Sequence, residues 1–285
     1  MFDFRYHALS LVAVFLALSV GLLLGIAIGD AGLVSSGERK LREGLSGDVR
    51  EARAEAARLR AELEARERYE QQAYPLMVAG RLAQRRIGLI ALGGGSDRVV
   101  RAVRAALTPS GGELKSVSVV RLPLDLEGIA ERAAGTRYAR LRRRPALVEP
   151  LARRIGLQYV TGGRLLRRVR AALLSRYPGE FEGLDAVVLY RDRGELGPAQ
   201  ARLADAFEQG LIDGLTELRV PVVGVETTAT APSQIGWFRD RDVTTVDDVD
   251  ELAGRAALVF ALAGETGAFG RKPTADRLLP RPRGS

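Results

Sequence analysis

RIGLIALGGGSDRVVRAVRAAL, residues 86–107, reads as one strand–turn–helix unit. After Arg86, residues 87–92 form an unbroken apolar run, the pattern of a strand covered on both faces of a parallel sheet. Gly93, Gly94 and Gly95 turn the chain, and Ser96 stands where a side-chain oxygen caps the helix predicted over 97–107. Thr-Pro-Ser-Gly-Gly at 108–112 closes that helix. The same grammar continues downstream. Strands are predicted at 116–122, 185–190 (DAVVLY), 220–225 (VPVVGV) and, as a short edge, 243–246. Helices are predicted over a basic stretch at 126–156 with breaks near Gly135 and Pro145, and at 163–175, 198–218 and 249–263. Alternating strands and helices with right-handed crossovers specify an α/β, Rossmann-like head domain with a mainly parallel sheet over 80–270. The Pro/Arg-rich end, 271–285, is expected to be unstructured.

Upstream of the head the period changes. Over residues 36–73, apolar positions fall at Leu45, Val49, Ala52, Ala56, Leu59 and Leu63, spaced 4, 3, 4, 3, 4 with charges between them. That is the seam of a coiled coil, flanked by Glu51, Glu55, Glu62 and Glu64 among arginines. Arg66 breaks it at the next seam position, and a single amphipathic helix folded back on its own domain fits the same pattern. Gly44 and Gly47 weaken the helix near its start. Tyr74-Pro75 marks the end of the stalk or a kink in it.

Further upstream, residues 8–29 (ALSLVAVFLALSVGLLLGIAIG) contain no charged side chain. As a helix this segment reaches about 33 Å, enough to cross a bilayer's hydrocarbon core. The rival is a cleaved signal peptide, whose apolar core is shorter; Ala27 and Gly29 imitate a cleavage site. We expect an uncleaved transmembrane helix behind a short flank, residues 1–7. Ala13, Ala17, Gly21, Gly25 and Gly29 recur every fourth residue, a ladder that lets two helices approach closely in lipid. Small residues are also common in membrane helices for other reasons.

The 285 residues carry a formal net charge of +8, and only Lys40, Lys115 and Lys272 among 43 basic residues are lysines. Arginines cluster at 142–144, 153–154 and 164–170. Such a field favours anionic surfaces, and equally describes a solvated arginine-rich face. No nucleic-acid-binding signature accompanies it, so no nucleic-acid partner is expected. Cysteine is absent, histidine occurs once, as His7, and methionine twice, as Met1 and Met77. No Ser-His-Asp constellation can form in the head and no serine sits in a nucleophile elbow, so an enzyme is not expected and no catalytic residue is assigned. The Gly93–Ser96 turn invites comparison with a dinucleotide fingerprint. Arg98 stands where its last glycine belongs, Leu122 and Pro123 end the second strand without an acid, and Asp97 places negative charge where phosphate would sit. We expect a tight turn and no bound cofactor. Asp240, Asp242, Asp247, Asp248, Asp250 and Glu251 lack calcium-loop spacing. The group at the start of the next helix, Asp247, Asp248, Asp250 and Glu251, is expected to complement its dipole.

The opening FRYHALSLVAVFLALSVGLLLG, the Arg/Glu stalk and the closing VTTVDDVDELAGRAALVFALAGETGAFGRKPTADRLLP resemble the actinobacterial copper transporter family typified by mycobacterial copper transport protein B. The resemblance implies a single-span envelope protein with an extracytoplasmic domain and a link to copper efflux and homeostasis, copper being a possible transported ion. It carries no catalytic residues over. Copper ions take thiolate, thioether or imidazole ligands, and Met77 with His7 cannot make a copper-selective site in one subunit; the metal ligands are therefore unknown. By charge, Arg5 precedes the span while Arg39, Lys40 and Arg42 come after it, which read literally puts the head in the cytoplasm. Those three lie at least ten residues past Gly29, long domains often translocate regardless, and the short flank suits a signal-anchor. With the resemblance, the head is expected outside. The expected partners are membrane lipid and further copies of the chain or an envelope protein. The alternative function is a coiled-coil scaffold in envelope assembly or division with no direct copper handling.

Overall fold

A computed structural model describes residues 4–29, 33–180 and 182–281, the side chains of 4–5, 28–29 and 33–44 excepted. The chain divides into two units, Met1–Arg68 and Tyr69–Ser285.

The described residues of the first unit are helical. Helix α1, Phe4–Gly29, contains an apolar window, Tyr6–Ala27, of mean hydropathy 2.6; among the described residues it is the one helix long and apolar enough to cross a bilayer. Helix α2, Leu33–Val78, runs through the whole predicted stalk. Of the two readings of Tyr74-Pro75, an end or a kink, the end is not there: Pro75 lies inside the helix, which continues to Val78. The reason is tertiary. Tyr74, Val78 and, one turn on, Leu82 are buried, and the Tyr74 hydroxyl donates to the Ala106 carbonyl oxygen at 3.2 Å. Packing of these residues outweighs the bond that proline forfeits.

In the second unit, strand β1 (Arg86–Gly93) is buried from Ile87 to Leu92, as its unbroken apolar run requires. Helix α3 (Asp97–Ser110) opens on Ser96, whose Oγ accepts from the Val99 N–H. It takes Thr108, Pro109 and Ser110 into its last turn and stops at Gly111, which adopts φ 77°. A left-handed conformation costs glycine nothing, so Gly111 rather than Pro109 sets the boundary. Strand β2 (Glu113–Val120) comes next.

The basic stretch breaks where Gly135 and Pro145 predict. Helix α4 (Leu126–Arg132) gives way to 3₁₀ turns at Arg137–Arg140 and Pro145–Leu147, and then to helix α5 (Val148–Thr161). The helix predicted over 163–175 divides into α6 (Arg164–Leu173) and a three-residue strand β3, Leu174–Arg176. Strand β4 (Ala186–Asp192), helix α7 (Pro198–Thr216), strand β5 (Val222–Val225), helix α8 (Ile235–Arg239), strand β6 (Thr244–Val246), helix α9 (Leu252–Leu262) and strand β7 (Ala268–Phe269) complete the chain.

The strands form one sheet in the order β3-β2-β1-β4-β5-β6-β7, every pair parallel except β2 with β3. β6 is therefore not the edge expected for it, because β7 pairs outside it. The chain leaves β1 in one direction and resumes from β4 in the other, so the topological switch lies between those two strands. Alternate β1 residues feed separate cores. Ile90 and Leu92 join Ile129, Ile155, Tyr159, Leu166 and Phe207 from α4–α7. Ile87 and Leu89 join Val78, Val103, Leu107 and Leu258 from the end of α2, α3 and α9.

The stretch after Arg271 is not loose as far as it is described. The Arg271 and Lys272 backbone N–H groups donate to the two oxygens of Asp247, at 2.8 and 2.9 Å, and Arg277 bridges to Phe269. A buried carboxylate binds this polar segment, which hydropathy alone cannot show. Residues 282–285 of the expected tail and 1–3 of the flank lie outside the described residues.

Candidate functional site

The C-terminal ends of parallel strands beside a topological switch are where α/β sheets place ligands. At the switch itself the Gly93–Ser96 turn is closed by β4. Gly94 N–H donates to the Asp192 carbonyl oxygen, and a Cβ on Gly94 would stand 2.7 Å from the Asp192 carboxylate. Asp97 pairs with Arg176 at 3.1 Å. Two acidic side chains thus flank the helix N-terminus, and a pyrophosphate there would meet like charge.

One strand further along, a cleft of about 570 Å³ opens between the loops after β4 and β5. Tyr190, Arg191, Asp192 and Arg193 form one wall; Thr227, Thr230, Pro232 and Gln234 form the other. Its charges are answered from within. Glu208 on α7 is buried and accepts from Arg191 Nε at 3.1 Å, while Arg193 Nε stands 3.3 Å from its other oxygen as an ion-pair contact without a hydrogen bond. Arg193 also donates to Asp205, at 2.8 Å, and to the Ala201 carbonyl oxygen. Arg191 donates to Gln234, and its guanidinium stacks 4.4 Å from the Trp237 ring, whose other cation is Arg241 at 3.9 Å. Burial pushes the Glu208 pKa up and that of Arg191 down, each opposed by the other's charge.

The opposite wall is pinned by a second buried carboxylate. Glu226 accepts from Ser233 Oγ at 2.9 Å, from the Gln234 N–H at 2.6 Å and from Lys272 Nζ. Lys272 Nζ donates in addition to the carbonyl oxygens of Thr227 and Thr230, at 3.2 and 2.9 Å. The lysine thereby ties the end of the chain to the loop that shapes the cleft. Sequence reasoning passed over Arg191, Arg193, Glu208, Glu226 and Lys272. No local signal existed, because the partners lie 17 residues apart in the first pair and 46 in the second.

The acidic run does not do what its position suggested. Helix α9 has no acidic residue in its first turn, and its N-cap Glu251 makes no side-chain cap. Asp247 holds the chain end, and Asp250 accepts from Thr228 N–H and Oγ1, both at 2.8 Å, and from Arg98 at 2.6 Å. Asp240 and Asp242 lie at the turn after α8. Asp248 is buried with Arg271 Nε 3.7 Å away, and neither carboxylate oxygen accepts a hydrogen bond among the described residues. Desolvation, then the neighbouring Asp247 charge, pushes its pKa up to about 6. The folded chain consequently binds this proton more tightly than the unfolded chain, and stability drains away as pH rises from about 4 to 6. Asp248→Asn is expected to raise the melting temperature at neutral pH by about 5 °C, on the order of 2 kcal/mol, and to leave it unchanged near pH 4. Equal melting of variant and parent at neutral pH would contradict this.

On α1, Ala13, Ala17, Gly21 and Gly25 are exposed, and a Cβ on either glycine would meet nothing within 4 Å. The surroundings of Gly29 lie outside the described residues. On α2 the seam residues Leu45, Val49, Leu59 and Leu63 are exposed, as is Ala52, while Ala56 is half-buried. Among the described residues no three histidine, cysteine, aspartate or glutamate side chains converge where an ion could sit. His7 lies in α1 and Met77 near the end of α2.

A comparison with curated proteins finds no match. A family match, described as copper transport outer membrane protein, MctB, covers residues 1–124 and 165–280. It takes in the apolar helix, α2, the β1–turn–α3 unit and the whole of β4 to β7, passing over residues 125–164, which build α4 and α5, and 281–285. With the apolar helix, the sheet and the Lys272-bound chain end all inside the matched residues, the chain belongs to the MctB family of copper transport outer membrane proteins.

Proposed function

We propose that this protein serves copper export or tolerance at the cell envelope without catalysing a reaction and without itself holding copper. α1 stays in lipid, the head stands on the extracytoplasmic side, and the work is done through further copies of the chain or an envelope protein partner. The observation that carries this reading is the donor inventory set against the family. Copper selects thiolate, thioether and imidazole. A copper transport family member with no cysteine, one histidine and two methionines in 285 residues lacks the donors for a copper-selective site in one subunit, which supports action through something other than its own ligands. Oligomer formation is supported by the exposed small-residue ladder of α1 and the exposed seam of α2; a membrane tether raises the effective concentration of such faces for one another.

Titration of the purified chain with copper(I) and copper(II) tests the first half. No stoichiometric binding in the low-micromolar range is expected, and a tight one-to-one complex would overturn it. The second half is tested by Gly21→Ile with Gly25→Ile, which obstructs close helix approach. Cross-linked oligomers are expected to fall several-fold and copper tolerance of complemented cells to fall with them. Unaltered cross-linking rejects the helix face. Lost oligomers with full tolerance would instead favour the scaffold, with its copper effects indirect.

A further inference from the structure

We infer that the helical layer built by α4, α5 and α6 is a docking surface for the phosphate headgroups of an anionic bilayer. Between Glu131 and Arg170 the sequence holds twelve arginines, two glutamates and no other charged residue, an excess above the chain's whole formal charge of +8. All twelve arginines are exposed. The three elements lie on one face of the sheet together with α7, α6 packing against both α4 and α5, and Arg137, Arg140, Arg142, Arg143 and Arg144 sit on the turns that join α4 to α5. Nine of the twelve arginines fall in residues 125–164, the stretch that the family match passes over.

Internal pairing does not explain this excess. Arg142, Arg153 and Arg167 find Glu127, Glu217 and Glu182 at 2.9, 3.1 and 2.6 Å. Arg140, Arg143, Arg144, Arg154, Arg164 and Arg168 make no ion pair among the described residues. Six unneutralised guanidinium groups on one layer are a concentrated positive field, and guanidinium matches phosphate oxygens two at a time. The aromatic residues of the segment, Tyr138 and Tyr159, are buried, so neither offers a platform on which bases could stack. A bilayer fits the remaining choice, because the chain belongs to a membrane-protein family and carries its own apolar helix. Each arginine near an anionic leaflet adds to the attraction, and the contribution disappears with salt.

The test uses the full chain held in nanodiscs of phosphatidylcholine and presented to separate vesicles in a co-flotation assay. Binding is expected to vesicles containing phosphatidylglycerol, to be absent with phosphatidylcholine alone, and to be abolished by high salt. Arg143→Gln, Arg144→Gln, Arg154→Gln and Arg168→Gln combined are expected to weaken it by at least about tenfold, with the melting temperature unchanged because none of the four has an ion-pair partner to lose. Equal binding to both vesicle types, or full binding by the quadruple variant, overturns the inference. So does capture by long-chain polyphosphate with no binding to vesicles, which would make the partner an acidic polymer. None of these outcomes depends on copper, so the inference fails or survives separately from the proposed function.

Discussion

Gly214→Val is expected to lower the melting temperature of the head by about 10 °C or to prevent its folding. An ideal Cβ at Gly214 on α7 falls 1.9 Å from the Arg153 carbonyl oxygen and 2.9 Å from the Leu157 amide nitrogen, both backbone atoms of α5. One turn earlier, a Cβ at Gly210 would lie 2.2 Å from the Glu149 carbonyl oxygen; from the opposite side, one at Gly156 would lie 2.4 Å from that of Leu211. The two helices are therefore in backbone contact over successive turns, and no side chain can move aside to admit a methyl group. Relief requires pushing α7 off α5, which opens the core where Phe207, Leu211, Ile155 and Tyr159 meet. Overpacking a well-packed core costs about 1–3 kcal/mol, and more where backbone atoms alone stand in the way, a large part of the stability of an ordinary domain. Gly236→Ala is the control: a Cβ there meets nothing within 4 Å, so the parent's melting temperature is expected. If both variants melt together, the backbone contact does not matter.

Those glycines show where reading the chain alone reaches its limit. Residues 86–107 are legible because their cause is local: a central strand must be apolar throughout, a tight turn needs glycine, and Ser96 caps α3. The apolar span and the missing soft ligands are legible by counting. Gly210 and Gly214 look like ordinary helix-weakening residues, since their purpose appears only once α5 arrives from about 60 residues earlier. β3 and β7, three and two residues long, carry no periodicity of their own and exist because a neighbouring strand offers them an edge. Tyr74-Pro75 reads as a stop or a kink because local rules count the lost hydrogen bond and not the buried tyrosine. The acidic run reads as a helix-dipole partner because proximity in sequence is the only information in the sequence. In the fold Asp247 and Asp250 face partners from the chain end and from the loop after β5. The seam residues of α2 are exposed except Ala56, which is half-buried.

Lys272→Met is expected to destabilise the head by about 3 kcal/mol and to loosen residues 270–281, seen as faster amide exchange there than in β1 or β4. Lys272 Nζ, on a side chain 21% exposed, is the one cation within reach of the Glu226 carboxylate, itself 1% exposed, among the described residues. Removing the cation while keeping the carboxylate leaves a buried negative charge supported only by Ser233 Oγ and the Gln234 N–H. The carbonyl oxygens of Thr227 and Thr230 lose a donor at the same time. Breaking one side of such a pair is worse than removing both. Adding Glu226→Gln to Lys272→Met should therefore recover part of the loss, giving a favourable coupling between the two sites. Asp247 still grips the Arg271 and Lys272 backbone, so the segment is expected to loosen without detaching. The cleft should change with it, because the loop from Thr227 to Gln234 loses the side chain that ties it to the chain end. A double variant no more stable than Lys272→Met would mean that the lysine contributes packing alone. Unchanged exchange in residues 270–281 would mean that Asp247 holds this segment without it.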